Sequence, residues 1–122
     1  MRGISPDPKE VRAFAETAPE GPIAMLNLMR LKEGISLEEF LGKLGPLNAP
    51  FVAKGEVIYG AQGSRDFLSD EHWDLVALFQ YKAFSDFVDI VCNEDWRRTA
   101  GAYREEALEA AKLIVTQEFP AP

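Results

Sequence analysis

Histidine and cysteine are almost missing from this chain: His72 is the sole imidazole and Cys92 the sole thiol in 122 residues. One cysteine excludes an intrachain disulfide and any multi-cysteine metal centre. One histidine excludes zinc sites built on several imidazoles, and histidine-pair relays. Positive charge is also short, with 13 Lys and Arg against 20 Asp and Glu and a net charge of −7. That balance argues against nucleic-acid binding, which rests on phosphate neutralisation, and against an anionic membrane surface. No apolar run approaches the ~20 residues of a membrane span. The opening Met1-Arg2-Gly3-Ile4-Ser5-Pro6-Asp7-Pro8 lacks the apolar stretch of a signal peptide, so a cytoplasmic setting is expected. Tyr59-Gly60-Ala61-Gln62-Gly63 opens no helix and makes no phosphate loop, and no nucleophile elbow occurs.

What remains is an ordinary globular composition, 47% apolar, in a length suited to a single domain over 1–122. Asp7, Pro8 and Glu10 are placed as a helix start, predicting a helical extension over 6–18 with the stripe Val11, Phe14, Ala15 and Ala18. Residues 22–32 read as a strand apolar on both faces. One set is Ile23, Met25, Asn27, Met29 and Leu31; the other is Ala24, Leu26, Leu28 and Arg30. Ser36 and Glu39 form a capping box for a helix bearing Leu37, Phe40, Leu41 and Leu44. Gly45-Pro46 is expected to kink or break that helix, and Gly55 to close it. A second strand is predicted over 56–62, a polar connection over 63–72, and a third strand over 73–82. A short helix follows over 83–91. Asn93 then caps a helix reaching about Ala110, with Trp96, Ala100, Tyr103 and Ala107 facing the core. Residues 112–119 read as the last strand, and Pro120, Ala121 and Pro122 as a frayed tail.

Beyond the first helix, the order strand, helix, strand, strand, helix, strand predicts an α+β, ferredoxin-like βαββαβ core over about 22–119, with a four-stranded antiparallel sheet. The first and third strands are then central, in keeping with their two apolar faces. Helices cover only one face of such a sheet. A second copy of the chain is the simplest cover for the other.

Three segments carry a resemblance to a known family: 25–32 (Met-Leu-Asn-Leu-Met-Arg-Leu-Lys), 73–78 followed by Tyr81, and 103–108 leading into Leu113-Ile114-Val115. Over about 22–117 the chain resembles a bacterial family known as domain of unknown function 1330, within the dimeric α/β-barrel superfamily. The resemblance implies a homodimer whose two sheets pack face to face. The wider superfamily includes cofactor-independent monooxygenases, small isomerases, decyclising enzymes and haem-handling proteins, and fold likeness alone does not choose among them.

Candidate ligand-binding residues are Asn27, Arg30, Trp73, Tyr81 and Arg104. Asn27 offers donor and acceptor to a carbonyl or phenol; the competing reading is a structural amide. Its face of the first strand is expected to line the barrel interior. Arg30 and Arg104 suit a small anionic ligand, or else ion pairs with Asp74 or a helix glutamate. Trp73, Phe79 and Tyr81 alternate on one strand, lining a cavity or packing a core or dimer interface. Tyr81, Asp74 and His72 are the candidate catalytic groups, each with a bland counterpart: packing, a paired carboxylate, a surface imidazole. No metal or cofactor is expected. Two functions remain open. One is a small-molecule pocket, enzymatic through cofactor-independent oxygenation or isomerisation of a small aromatic or carbonyl compound. The other is a non-catalytic ligand-sensing or protein-interaction module.

Overall fold

A computed structural model describes residues 3–119, so the frayed tail expected at 120–122 lies outside the described residues. Four strands form one antiparallel sheet in the order β2-β3-β1-β4, with β1 at Ile23–Leu31, β2 at Gly55–Gln62, β3 at Leu75–Tyr81 and β4 at Leu108–Thr116. The two strands expected at the centre are central. β1 pairs with β3 from Ile23↔Tyr81 to Met29↔Leu75, and with β4 from Ala24↔Thr116 to Leu31↔Leu108.

The helices follow their caps. In α1 (Pro8–Ala15) the Asp7 carboxylate accepts from the Lys9 amide. In α2 (Leu37–Asn48) the Ser36 hydroxyl accepts from the Glu39 amide, 3.0 Å away. α2 runs through Pro46 without breaking, contrary to expectation. Pro46 and Gly42, the residue one turn before it, are both exposed, so the carbonyl that proline leaves free is open to solvent. Gly55 does not close this helix but begins β2. After α3 (Phe84–Val91) comes a longer helix, α4 (94–107), capped by Asn93. α4 is regular at Glu94–Trp96, π-helical over Arg97–Gly101 and regular again over Ala102–Ala107. It stops three residues earlier than expected. Leu108 and its neighbours pair with β1 instead, and ladder bonds outweigh the helix preference of the Glu109-Ala110-Ala111 stretch. No helix among the described residues is long and apolar enough to cross a membrane.

The π-helical turn has a packing consequence. A regular helix places Trp96, Ala100, Tyr103 and Ala107 on one line. The wider turn rotates the residues behind it, so Arg104 joins Ala100 and Ala107 in the core. Tyr103 is displaced to the flank, half-buried and stacked on Phe40.

The sheet has two unlike faces. Ile23, Met25, Met29 and Leu31 of β1 are buried with Phe40 and Leu44 of α2, Phe84, Phe87, Ile90 and Val91 of α3, and Ala100 and Ala107 of α4. Each of the larger side chains in this set contributes about 1.5–3 kcal/mol. On the opposite face, Leu26, Leu28, Val76 and Leu78 are only half-buried, and Ile114 is 46% exposed. The register sets Leu26 beside Leu78 and Ile114, and Leu28 beside Val76 and Lys112, as one apolar patch that no element among the described residues covers.

Candidate functional site

The alternation of β1 separates residues that the sequence grouped together. Asn27 shares parity with Met25 and Met29 and therefore faces the helices, correcting the expectation that it lines the open face. Arg30 faces the open side. Trp73 precedes β3 and does not share a face with Tyr81, because its ring lies beneath Arg30 and Lys112, the latter a residue of the open face.

Arg30, His72, Trp73 and Asp74 meet at one end of the open face. The Arg30 guanidinium carbon sits 5.3 Å from the centre of the Trp73 ring, and Lys112 Nζ sits 5.4 Å from it. Arg30 Nε donates to Glu109 at 3.1 Å, and Nη1 to the His72 carbonyl at 3.4 Å. Glu109 reaches that position because β4 bulges there: Arg30 opposes Ala110 and Leu31 opposes Leu108, so Glu109 is the extra residue. Arg30 therefore pairs with a bulge glutamate and not with Asp74. Asp74 instead takes two other partners. Its Oδ2 accepts from the Leu31 amide at 2.8 Å, and its Oδ1 lies 2.8 Å from His72 Nε2. The Asp74 amide in turn donates to the Met29 carbonyl at 2.8 Å.

The result is an imidazole oriented by a carboxylate that is itself fixed to the central strand. In the neutral tautomer whose Nε2 donates to Asp74, Nδ1 is the ring nitrogen left to accept a proton. Glu71 braces the other side, accepting from Trp73 Nε1 at 3.3 Å and from Lys112 Nζ at 3.1 Å. These bonds, led by the one from Lys112, hold the Glu71 carboxyl below its ordinary range. The loop neck is tight as well. Gly63 donates to the Asp74 carbonyl and passes so close to the Trp73 carbonyl oxygen that no side chain fits.

The other candidates lie elsewhere. Tyr81 ends β3, six residues or roughly 20 Å from Leu75. It is buried against Phe79 and Phe87, and burial pushes its hydroxyl up to about 12. It does not join His72 and Asp74. Asn27 is half-buried in the middle of the helix-covered face, donating to the Met25 carbonyl at 3.1 Å. Arg104 lies on that same covered side, 7% exposed. Its Nη1 meets Met29 Sδ at 3.7 Å, its Nη2 donates to the Ile4 carbonyl at 3.2 Å, and its Nε has no partner. Burial lowers its pKa to about 10, so it remains a cation at neutral pH. Removing such an ion from water costs several kcal/mol. The C-terminal end of α4 returns about 0.3–1 kcal/mol and a carbonyl hydrogen bond about 1.5–3 kcal/mol.

Sequence reasoning missed Lys112 and Glu109, and weighed Glu71 only as a remote metal ligand beside Asp70, His72 and Asp74. A charged residue at position 112, between Ala111 and Leu113, was a readable sign of an open-face position. The bulge that delivers Glu109 left no such sign.

The fold and this geometry define a ferredoxin-like α+β protein with a polar cluster at one end of an uncovered sheet face. The chain is similar over nearly its whole length to RPA0582, a protein of unknown function from Rhodopseudomonas palustris. The two share 28% identity over 99% of this chain and 100% of that one, with a TM-score of 0.75. The methylated form of RPA0582 gives 29% identity over 98% of each chain and a TM-score of 0.74. A dimeric protein of unknown function and ferredoxin-like fold from Bacteroides fragilis shares the fold. Its identity is 12% over 81% of this chain and 98% of its own, with a TM-score of 0.50. No protein-family model and no curated protein matches the chain.

Proposed function

We propose that the chain is a cytoplasmic homodimer closed through its open sheet face, and that the cluster of Arg30, His72, Trp73 and Asp74 is a proton-transfer site for a small carbonyl or aromatic compound. The observation that carries this reading is the imidazole of His72, held through Nε2 by Asp74, beside two cations stacked on an indole. His72 removes a proton next to a carbonyl, while Arg30 and Lys112 face the negative charge that develops on the oxygen. Returning the proton to another carbon gives an isomerisation, the chemistry these groups perform unaided. Trp73 is a platform for a planar substrate, and Asp74 is a positioning residue. Three things support the dimer: the uncovered apolar patch, the resemblance to the domain of unknown function 1330 family, and the dimeric state of the Bacteroides fragilis protein.

A second reading, a protein-interaction module, is favoured by one feature. The tip of the 63–74 loop presents Phe67 at 80% and Leu68 at 98% exposure, on a turn fastened by the Asp66 carboxylate to the amides of Leu68 and Ser69. The test is solvent-deuterium incorporation into a panel of small aryl ketones and keto acids, followed by NMR. Wild-type protein is expected to exchange protons next to the carbonyl of at least one compound, and His72→Asn to lose that exchange. Equal rates in the two proteins contradict the enzymatic reading and leave the interaction module.

A further inference from the structure

The open face is too small to hold a dimer by itself. Its apolar rows are Tyr59, Leu78, Leu26 and Ile114, and beside them Ala61, Val76, Leu28 and Lys112. Four strands ~4.8 Å apart and two rows ~7 Å deep make a patch of about 270 Å². Adding the flanking rows of Arg30 and Ala24 brings the whole face to about 520 Å². A stable dimer buries about 800 Å² on each partner. Something beside the sheet must supply the rest.

The 63–74 loop lies on that side. It leaves β2, yet its Glu71 carboxylate accepts from Lys112 Nζ of β4, the far edge strand, at 3.1 Å. The loop therefore crosses one end of the open face. At its crest the Asp66 carboxylate accepts from the amides of Leu68 and Ser69, at 2.8 and 3.0 Å, and from the Ser69 hydroxyl. These bonds, led by the hydroxyl and joined by the Lys112 charge, hold the Asp66 carboxyl below its ordinary range. The turn is thus set before any partner arrives, with Phe67 and Leu68 almost fully exposed upon it.

Charge and reach select the occupant. Asp66, Asp70 and Glu71 flank the apolar pair and repel an anionic membrane surface. From the neck at Gly63 to Phe67 is four residues, at most about 14 Å, and packed sheets lie about 10 Å apart. The tip therefore reaches a second sheet stacked on the first. We infer that Phe67 and Leu68 anchor a second copy of this chain, seating against its open face while the partner's tip seats here in return. A two-fold pairing makes the two contacts identical, and each tip adds the area that the flat face lacks. This inference rests on the dimer reading above and assigns the tip to a second copy, not to a different protein.

The test is sedimentation equilibrium of the full chain beside Phe67→Ser and Leu68→Ser, two positions outside the packed core. Because each dimer holds two tips, either substitution is expected to weaken dimerisation on the order of 100-fold, with the circular dichroism spectrum unchanged. In a dimer of one carbon-13-methyl-labelled copy and one unlabelled copy, isotope-filtered NMR is expected to show the Leu68 methyls touching the other copy. A wild-type dimer with unchanged affinity in both variants and no such contacts overturns this inference alone, and gives the tip to a different protein. A wild-type chain that stays monomeric overturns the dimer reading, and this inference with it.

Discussion

The helix-covered face and the open face of this sheet are built from the same strands with similar apolar residues, yet they do different work. Ile23, Met25, Met29 and Leu31 are sealed by three helices, whereas Leu26, Leu28, Val76 and Leu78 meet only their neighbours in the sheet and no helix among the described residues. The covered face makes the fold. Charged groups gather instead at the end of the open face, where Arg30, Lys112, His72 and Asp74 surround Trp73 without the cost of deep burial. The cation placed on the covered side, Arg104, makes no ion pair among the described residues, and there charge becomes a packing problem.

The sharpest way to break this contrast is to truncate one residue on each side. Phe40→Ala, at a fully buried position, is expected to cost about 3–5 kcal/mol, lowering the thermal midpoint by roughly 15 °C. Leu78→Lys should leave the circular dichroism spectrum and monomer folding intact while weakening self-association by more than about 100-fold, read by sedimentation. Similar folding losses in both variants would erase the distinction. Asp74→Ala leaves the Leu31 amide without its acceptor and is expected to cost about 1–2 kcal/mol in urea unfolding, together with the proton exchange attributed to His72.

The smallest effect is a pH slope. Tyr81 stays protonated in the fold up to about 12, against 10.0 in an unfolded chain. Between those values the unfolded state holds fewer protons, so stability falls as pH rises, by up to about 1.4 kcal/mol per pH unit. Arg104 acts with the opposite sign, since burial holds its folded value, about 10, below the ordinary guanidinium range. Comparing wild type with Tyr81→Phe isolates the tyrosine part, and the variant should lose that downward slope.

Much of the fold was legible because its signals are local. Ser36, Asp7 and Asn93 cap helices as their side chains predict, and the doubly apolar β1 and β3 are central. The candidate site was legible only in its parts. Arg30, Trp73, His72 and Asp74 were each singled out, but their meeting depends on a β-bulge at Glu109 and on the contact of Arg30 with the Trp73 ring ahead of β3. Both are set by long-range pairing. Strict alternation joined Trp73 to Tyr81 for the same reason: a period-2 rule holds inside a strand and fails two residues before it begins. Arg104 was misread in its surroundings because a π-helical turn changes the helical phase, which no regular spacing reveals.

Sedimentation equilibrium of the wild-type chain at micromolar concentration tests the contrast between the faces most directly. A species of twice 13.6 kDa, reduced to one chain by Leu78→Lys, is the result expected if a second copy covers the open face. A single 13.6 kDa species at every concentration would contradict it.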